Sequence, residues 1–205
     1  MAASKSGFMK DALILCAITL VSGVCLGFVY EITKGPIEQA NIAAANATYR
    51  EVLSTADSFS TLEGSEAKVE ELNASGELSQ YGNVGVESVL AGTDASGNTI
   101  GYVINTYSND SYNGLVSLSV GVDTEGTIIG VGIREISDTK GLGEKAKDAE
   151  YTNQFLGKGA EALTVTKSGA AGENEINAIS GATITSEATT NAVNAAIYYL
   201  HNCME

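Results

Sequence analysis

Histidine and cysteine are scarce in this chain of 205 residues, which excludes most familiar catalytic centres. His201, close to the C-terminus, is the one histidine, so a serine or cysteine triad lacks the well-placed second base that it needs. The three cysteines have neither metal-ligand spacing nor the pattern of a disulfide framework. No phosphate-loop motif occurs, and Gly141-Leu142-Gly143 is too short for a dinucleotide-binding fingerprint.

Basic residues are also few, and this bears on the partners of the chain. Lys and Arg number 11 against 25 Asp and Glu, which gives a formal net charge of −14. Residues 31–205 hold nine of the basic and twenty-four of the acidic side chains, a net charge of −15. Such a surface repels nucleic acid and anionic lipid headgroups, and it argues against both as partners. Solubility alone would also account for this charge.

One long apolar run stands near the N-terminus. Residues 12–30 contain no charged side chain, and a helix of nineteen residues spans roughly 28 Å, close to the ~30 Å hydrocarbon core of a bilayer. A signal peptide would have a shorter apolar core and a small-residue cleavage site, which this run lacks. The sequence therefore predicts a transmembrane helix over 12–30, preceded by residues 1–11.

The charges that flank this run predict its orientation. Lys5 and Lys10 precede the run with only Asp11 against them, whereas Glu31 follows it. The positive-inside tendency places residues 1–11 in the cytoplasm and residues 31–205 outside the cell membrane.

Cys16 and Cys25 lie within the apolar run, about 2.5 helical turns apart, and so face different sides of the helix. Their simplest role, and that of Cys203, is small apolar filler. A cysteine in the span could alternatively ligate an iron–sulfur centre shared with another subunit.

Residues 31–83 are interpreted as a membrane-proximal segment. After Gly35-Pro36, the stretch from Ile37 to Leu53 is rich in Ala, Glu and Gln, and its apolar residues are near helical spacing. We expect a helix there. Residues 54–83 are polar and support no assignment.

Four strands are predicted from Val84 onward. Two similar turns, Asp94-x-x-Gly97 and Asp123-x-x-Gly126, predict two hairpins of one antiparallel sheet. In the third strand, apolar residues alternate with Ser117, Ser119 and Gly121, which predicts that one face is buried. The predicted strands cover Val86 to Leu90, Thr99 to Tyr107, Leu115 to Val122 and Ile128 to Ile136.

The rest of the chain predicts helices beside this sheet. A short charged helix is expected near Glu144 to Phe155 and a strand near Leu163 to Lys167. A last helix from about Ser186 to His201 has one apolar face, with Thr185 or Ser186 as its N-cap. The predicted fold class is α+β: an antiparallel sheet with flanking helices, preceded by one N-terminal transmembrane helix.

Small and hydroxyl-bearing residues precede this last helix. The run Ile179 to Ser186 places hydroxyls at or just before a helix N-terminus, where free N–H groups and the helix dipole favour a phosphate. Ser and Thr in this position are also ordinary capping residues. Local chemistry therefore leaves two readings open, an anion site and a capped helix.

Ser180-Gly181-Ala182-Thr183, followed by Ile184-Thr185-Ser186, resembles the flavinylation motif of FMN-binding-domain proteins. The family includes the G subunit of the Rnf ion-translocating ferredoxin:NAD oxidoreductase and the C subunit of the sodium-pumping NADH:quinone oxidoreductase. In it, a flavin transferase uses FAD to esterify the last threonine of this run to the FMN phosphate. The resemblance implies covalent FMN on Thr183.

Two further motifs carry the same resemblance in the same order. Asp138-Thr139-Lys140-Gly141-Leu142-Gly143 is similar to the family's Glu-Thr-Pro-Gly-Leu-Gly loop, and residues 154–158 are similar to its Gln-Phe-x-Gly-Lys run. A single span followed by Thr33-Lys34-Gly35-Pro36-Ile37 resembles the start of the Rnf G subunit. Residues 84–205 would then form the FMN-binding domain.

The resemblance also implies which residues hold the flavin. The chain would be an electron-relay subunit with no catalytic site of its own, working with other subunits of a membrane redox complex that moves Na⁺ or H⁺. The expected set is Thr183 as attachment residue, with Ser180, Gly181, Ala182, Thr185, Thr139, Lys140, Gly141 and Leu142 around the cofactor, and no metal.

The chain departs from the family pattern at two positions. Asn177 stands where the family usually has an acidic residue six positions before the threonine, in the neighbourhood that the transferase recognises. Glu175 is an alternative acidic residue with a different side-chain phase. Lys140 stands where the loop usually has Pro, and a lysine near the flavin would favour its reduced, anionic form.

Two alternatives to the Rnf reading remain open at this point. One is the C-type subunit of the quinone-reducing sodium pump. The compact length of the chain and the motif Thr33-Lys34-Gly35-Pro36 favour the Rnf subunit over this alternative. The other is an assembly or binding module without flavin, in which Ser180 to Ser186 only cap a helix.

Overall fold

The computed structural model describes residues 11–24, 26–28, 30, 48–169 and 172–204. The chain divides into two compact units, Met1–Ala45 and Asn46–Glu205. Most of the helix predicted from Ile37 to Leu53 lies outside the described residues. Residues 48–52 are helical.

The N-terminal unit contains helix α1, Asp11–Phe28. Its 18 residues have a mean hydropathy of 2.1, and none of this window is buried inside the protein. The helix is long and apolar enough to cross a membrane, as predicted for 12–30.

The larger unit is built on a five-stranded antiparallel sheet with the strand order β1-β2-β3-β4-β5. The predicted mixed architecture is therefore confirmed. The strands are β1 Ser58–Thr61, β2 Val84–Thr93, β3 Thr99–Ser111, β4 Gly114–Asp123 and β5 Ile128–Ile136.

Both predicted hairpin turns are present, and they share one chemistry. Asp94 Oδ1 accepts hydrogen bonds from the N–H groups of Ser96 (2.8 Å) and Asn98 (2.9 Å) between β2 and β3. Asp123 Oδ1 does the same for Glu125 and Thr127 between β4 and β5 (both 2.9 Å). A carboxylate that satisfies turn N–H groups is the reason for Asp at these positions.

One face of the sheet is covered by the last helix, α4, Thr183–Cys203. Its predicted apolar face is confirmed, because Ala192, Val193, Ala196 and Ile197 are all buried. They pack with Ile104, Leu118 and Val120 from the middle strands to form the main core. A sheet and a helix that bury each other's apolar faces give the two-layer arrangement expected of this class.

The prediction that β4 buries only one face is wrong. Ser117 and Ser119 are buried as well, and Ser119 Oγ donates to Asn105 Oδ1 at 2.6 Å. Val52 covers this second face so closely that a Cβ on Gly121 would lie 2.2 Å from the Val52 carbonyl oxygen. Here serine and glycine mark close packing against backbone, and the face is not exposed to solvent.

Residues 54–83, which the sequence left without assignment, are ordered. Besides β1 they contain helix α2, Ser65–Ser75, and a 3-10 helix, Glu77–Tyr81. Val69 and Leu72 of α2 are buried in the main core. These residues belong to the same compact unit as the rest of the sheet.

The charged helix predicted near Glu144 to Phe155 is broken into three pieces. They are a 3-10 helix Gly143–Lys147, helix α3 Ala149–Thr152 and a 3-10 helix Asn153–Phe155. The predicted strand near Leu163 is present as β6, Thr164–Thr166, and it pairs in parallel with β7, Glu175–Asn177. β7 leads directly into the segment that precedes α4.

Candidate functional site

A surface cavity of about 550 Å³ lies beside the N-terminus of α4. Three segments form its walls: the two-residue turn between β3 and β4, the loop that follows β5, and the first turn of α4. The residues that line it are Tyr112, Asp138, Thr139, Leu142, Gly143, Gly181, Ala182, Thr183, Ile184 and Thr185.

The start of α4 differs from the prediction. The helix begins at Thr183, three residues before the predicted start, and its N-cap residue is Ala182 without a side-chain cap. Thr185 and Ser186, predicted as caps, lie inside the helix and are buried. The Ser186 hydroxyl accepts from the N–H of Ile179 at 2.9 Å, which ties the preceding segment to the helix.

The Thr183 hydroxyl is therefore distinct from its neighbours. Thr183 is half-buried and lines the cavity, and among the described residues its hydroxyl has no hydrogen-bond partner. The first N–H groups of a helix have no intrahelical acceptor, and no side chain caps them here. A hydroxyl without a partner among the described residues thus stands at a helix N-terminus, where uncapped N–H groups and the helix dipole favour an anion.

Gly181 shapes the approach to this threonine. Its φ of 79° is in the left-handed region, which glycine adopts without the steric cost of a Cβ. A Cβ at this position would lie 3.3 Å from Leu142 Cδ2, tighter than ordinary van der Waals contact. Glycine therefore lets the loop after β5 and the segment before α4 close on the same cavity.

A buried carboxylate joins the three walls of the cavity. Asp138 Oδ2 accepts hydrogen bonds from Ser111 Oγ at 2.5 Å and from Thr185 Oγ1 at 2.6 Å. Its Oδ1 accepts from the N–H of Asn113 at 2.7 Å. Burial by itself raises the pKa of Asp138, but these hydrogen bonds and one from the N–H of Tyr112 outweigh it, so the pKa lies below its ordinary value.

Apolar side chains form the rim of the cavity. Tyr112, Leu142 and Ile184 are 65%, 42% and 50% exposed. Within the described part of Asn46–Glu205 the other exposed large hydrophobic residues are Ile129 and Leu156. Three of the five exposed large hydrophobic residues described in this acidic unit thus line the cavity that contains Thr183, as expected of a surface that a ligand or partner covers.

The structure brings together six of the nine residues predicted around the cofactor. These six line the cavity: Thr183, Gly181, Ala182, Thr185, Thr139 and Leu142. Lys140 and Gly141 are exposed in the same turn but do not line it, and Ser180 lines a neighbouring cavity.

The sequence reasoning missed four residues of the lining: Tyr112, Asp138, Gly143 and Ile184. Asp138, Gly143 and Ile184 fall within the quoted motifs, so proximity in sequence could have suggested them. Nothing in the sequence relates Tyr112 to Thr183, because the pairing of β3 with β4 brings its turn to the cavity.

Asn177, one of the two departures from the family pattern, lies in β7 beside the neighbouring cavity of about 250 Å³. The Gln154 side chain accepts from the Asn177 N–H at 2.7 Å and donates to its carbonyl at 3.3 Å, as a paired strand would. Asn177 Oδ1 is buried without a hydrogen-bond partner in the described structure.

Tyr151 lines the same neighbouring cavity and donates to the Ser186 carbonyl, and burial raises the pKa of Tyr151 to about 12.

The described residues contain no group of three or more His, Cys, Asp or Glu side chains that would hold a metal ion. His201 is exposed, and its Nε2 lies 2.8 Å from the Gly159 carbonyl oxygen.

Comparison with known proteins finds relatives over almost the whole chain. Residues 111–198 match the FMN-binding domain family, and this stretch contains all the cavity-lining residues. The G subunit of the Na(+)-translocating ferredoxin:NAD(+) oxidoreductase complex of Acetobacterium woodii is 35% identical over 195 residues, 94% of this chain and 91% of the relative. The G subunit of the proton-translocating ferredoxin:NAD(+) oxidoreductase complex of Clostridium ljungdahlii is 32% identical over 188 residues, 92% of this chain and 87% of the relative.

A solved structure is also similar. The crystal structure of Shewanella oneidensis NqrC matches with a TM-score of 0.48 and 24% identity, over 54% of each chain.

Proposed function

This chain belongs to the family of G subunits of ion-translocating ferredoxin:NAD(+) oxidoreductase (Rnf) complexes, and on that premise we propose that it is an electron-relay subunit that carries FMN covalently on Thr183. The observation that carries this proposal is the free Thr183 hydroxyl in a cavity at an uncapped helix N-terminus. Capping, the alternative use of these hydroxyls, loses its support because Thr185 and Ser186 are engaged elsewhere.

The cavity suits FMN in size and in the distribution of its chemistry. Its volume of about 550 Å³ is within the usual range of cofactor sites, about 300–1,000 Å³. The N–H groups at the start of α4 would face the phosphate. Tyr112, Leu142 and Ile184 would pack against the isoalloxazine ring, which is flat and largely apolar.

Attachment would use Thr183 as an acceptor of the FMN phosphoryl group. The Thr183 oxygen forms a bond to the phosphorus, the pyrophosphate bond of FAD breaks, and AMP leaves while the hydroxyl proton passes to a base or to solvent. In this proposal the catalytic groups for the step belong to a flavin transferase.

Bound FMN supplies electron transfer in steps of one or two electrons, and the chain supplies position, solvent exclusion and electrostatics. A phosphoester leaves the ring unaltered and makes retention independent of affinity. This property matters for a unit outside the cytoplasm, where a dissociated cofactor would be lost. Thr183 is an attachment residue and not a catalytic one.

The proposal also covers the topology and the partners of the chain. Lys5 and Lys10 before α1 favour a cytoplasmic N-terminus, which places Asn46–Glu205 on the outer side of the membrane. Its partners are the other subunits of the complex. The names of the two relatives differ in the ion, Na⁺ or a proton, so the coupling ion does not follow from membership.

Of the two alternatives, the quinone-reducing sodium pump has less support, because the relatives that span this chain are G subunits of ferredoxin:NAD(+) oxidoreductases. The intact mass of the chain distinguishes the module without flavin from a subunit that carries FMN. The full chain is co-expressed with a flavin transferase, purified in detergent and examined by intact-mass spectrometry and by flavin fluorescence on a denaturing gel.

We expect one FMN on the wild type and none on Thr183→Ala. Thr124→Ala, which changes an exposed threonine in the turn between β4 and β5, serves as the matched control and should keep its FMN. A wild type without the FMN increment would favour the module, and an FMN increment on Thr183→Ala would refute attachment at Thr183.

A further inference from the structure

We propose that Asp138 makes the flavin of this subunit harder to reduce, by holding a fixed negative charge in the wall of the cavity that receives it. The inference rests on the proposed function, because it concerns the cofactor on Thr183. It assigns an electrostatic role to Asp138, the first residue of the loop motif, which was not among the residues expected around the cofactor.

Asp138 is a buried carboxylate that has no cation as a partner among the described residues. It is 6% exposed and lines the cavity. Within the described part of the chain it forms no ion pair, and its hydrogen-bond donors are neutral: the Ser111 and Thr185 hydroxyls and backbone N–H groups. Hydrogen bonds from neutral groups stabilise a charge but do not cancel it.

The negative charge of Asp138 persists at physiological pH. Burial works against the charged form, and the donors around the carboxylate more than offset it, so the pKa of Asp138 is lowered. Asp138 is therefore ionised in the folded protein at neutral pH.

The charge of the reduced flavin determines whether Asp138 favours or opposes reduction. Reduction can leave a flavin with a negative charge, and a like charge nearby disfavours that form. A buried charge is screened by salt and water much less than an exposed one. Asp138 would thus oppose reduction of the flavin.

Lys140 would act in the opposite direction. Its side chain is exposed and does not line the cavity, whereas Asp138 does. Solvent therefore screens the lysine more than the carboxylate, and the carboxylate should dominate the local field. The proposed net effect is thus opposite to the one expected from Lys140 alone.

Asp138→Asn separates the charge from the hydrogen bonds. The amide oxygen can still accept from the Asn113 N–H, and the amide NH₂ can donate to the Ser111 and Thr185 hydroxyls, which rotate to accept. The three walls of the cavity stay joined while the charge is removed.

The matched control is Asp94→Asn. Asp94 also accepts backbone N–H bonds in a turn, and its pKa is also lowered, first by the hydrogen bond from the Asn98 N–H. Asp94 precedes β3, whereas Ser111, which donates to Asp138, is the last residue of β3. The 13 residues of this strand, at about 3.3 Å each, separate its two ends by roughly 40 Å, so Asp94 lies far from the cavity.

The experiment is an anaerobic redox titration of the purified, flavinylated full chain, followed by flavin absorbance. At a fixed potential, the ratio of reduced to oxidised flavin should be several-fold higher in Asp138→Asn than in the wild type. Asp94→Asn should match the wild type. An unchanged ratio in flavinylated Asp138→Asn would overturn the proposal.

Ser111→Ala is the control for a purely structural effect, because it removes one hydrogen bond to Asp138 and keeps the charge of the carboxylate. The ratio of reduced to oxidised flavin in Ser111→Ala should not rise above that of the wild type. A rise equal to that of Asp138→Asn would overturn the proposal. So would failure of Asp138→Asn to accept FMN while Ser111→Ala accepts it, since the residue would then act on attachment. A wild type without FMN would instead refute the proposed function, which the intact mass reveals before any titration.

Discussion

The Thr185 hydroxyl donates to the Asp138 carboxylate at 2.6 Å, which joins the first turn of α4 to the loop after β5 across 47 positions of sequence. Both residues are buried, at 1% and 6% exposure. This bond holds the helix start that presents Thr183 against the loop that forms the opposite wall of the cavity. The geometry around Thr183, the proposed attachment residue, thus depends on a contact made two residues further along the chain.

Removing this hydroxyl should destabilise the unit Asn46–Glu205. Thr185→Val keeps the shape of the side chain but takes one donor from a buried carboxylate, which costs about 1–3 kcal/mol of the free energy of unfolding. Thr185→Ser keeps the donor and should cost clearly less. Urea unfolding of the full chain in detergent, followed by far-UV circular dichroism, measures both. Equal stability of Thr185→Val and the wild type would show that the bond contributes nothing.

Asp138 should also make stability depend on pH in the acid range. Because its folded-state pKa lies below the ordinary value of 3.8, its ionised form stabilises the fold fully above that value. The contribution is lost as the pH falls through the lower, folded-state pKa. The difference in unfolding free energy between the wild type and Asp138→Asn should therefore shrink from about pH 6 to about pH 2. Parallel pH profiles for the two proteins would contradict this assignment.

How far the sequence predicted the fold depended on the range of the interactions involved. Alternation and the Asp-x-x-Gly turns are local, and they located four of the five strands of the main sheet and both hairpins. The second buried face of β4 was missed because its cover, around Val52, comes from a stretch that was assigned to a membrane-proximal segment, and no local pattern relates that stretch to β4.

The start of α4 was missed for a similar reason. Thr185 and Ser186 have good capping propensity, but distant partners determine where their hydroxyls point: Asp138 accepts from Thr185, and Ile179 donates to Ser186. The family motif identified Thr183 and the loop after β5. It could not identify Tyr112, which the pairing of β3 with β4 brings to the same cavity.

Asn177→Asp should increase the rate of flavinylation, because it restores the acidic residue of the family pattern at the position that the transferase is expected to recognise. It should also lower stability, because Asn177 Oδ1 has no donor among the described residues and a carboxylate there would be poorly solvated. A time course of the intact mass during co-expression measures the rate. Asn174→Asp, three residues earlier, is the control. A slower reaction for Asn177→Asp would contradict this role for the position.

Tyr112 should shield the flavin ring from solvent. Tyr112→Ala removes the largest apolar side chain of the rim, so iodide should quench the fluorescence of the attached flavin more strongly than in the wild type. Tyr112→Phe should behave like the wild type. Ile129→Ala removes an exposed apolar side chain that does not line the cavity, and it provides the control. If quenching of Tyr112→Ala matched that of Ile129→Ala, the ring would not pack against this rim.

The central claim is that Thr183 is the residue that carries FMN, and peptide mapping tests it most directly. No Lys or Arg follows Lys167, so complete trypsin digestion releases residues 168–205 as one peptide that contains Thr183 and its neighbouring hydroxyls. Fragmentation of this peptide from the co-expressed wild type should show FMN on Thr183. FMN on Ser180, Thr185 or Ser186, or a peptide of unmodified mass, would contradict the account.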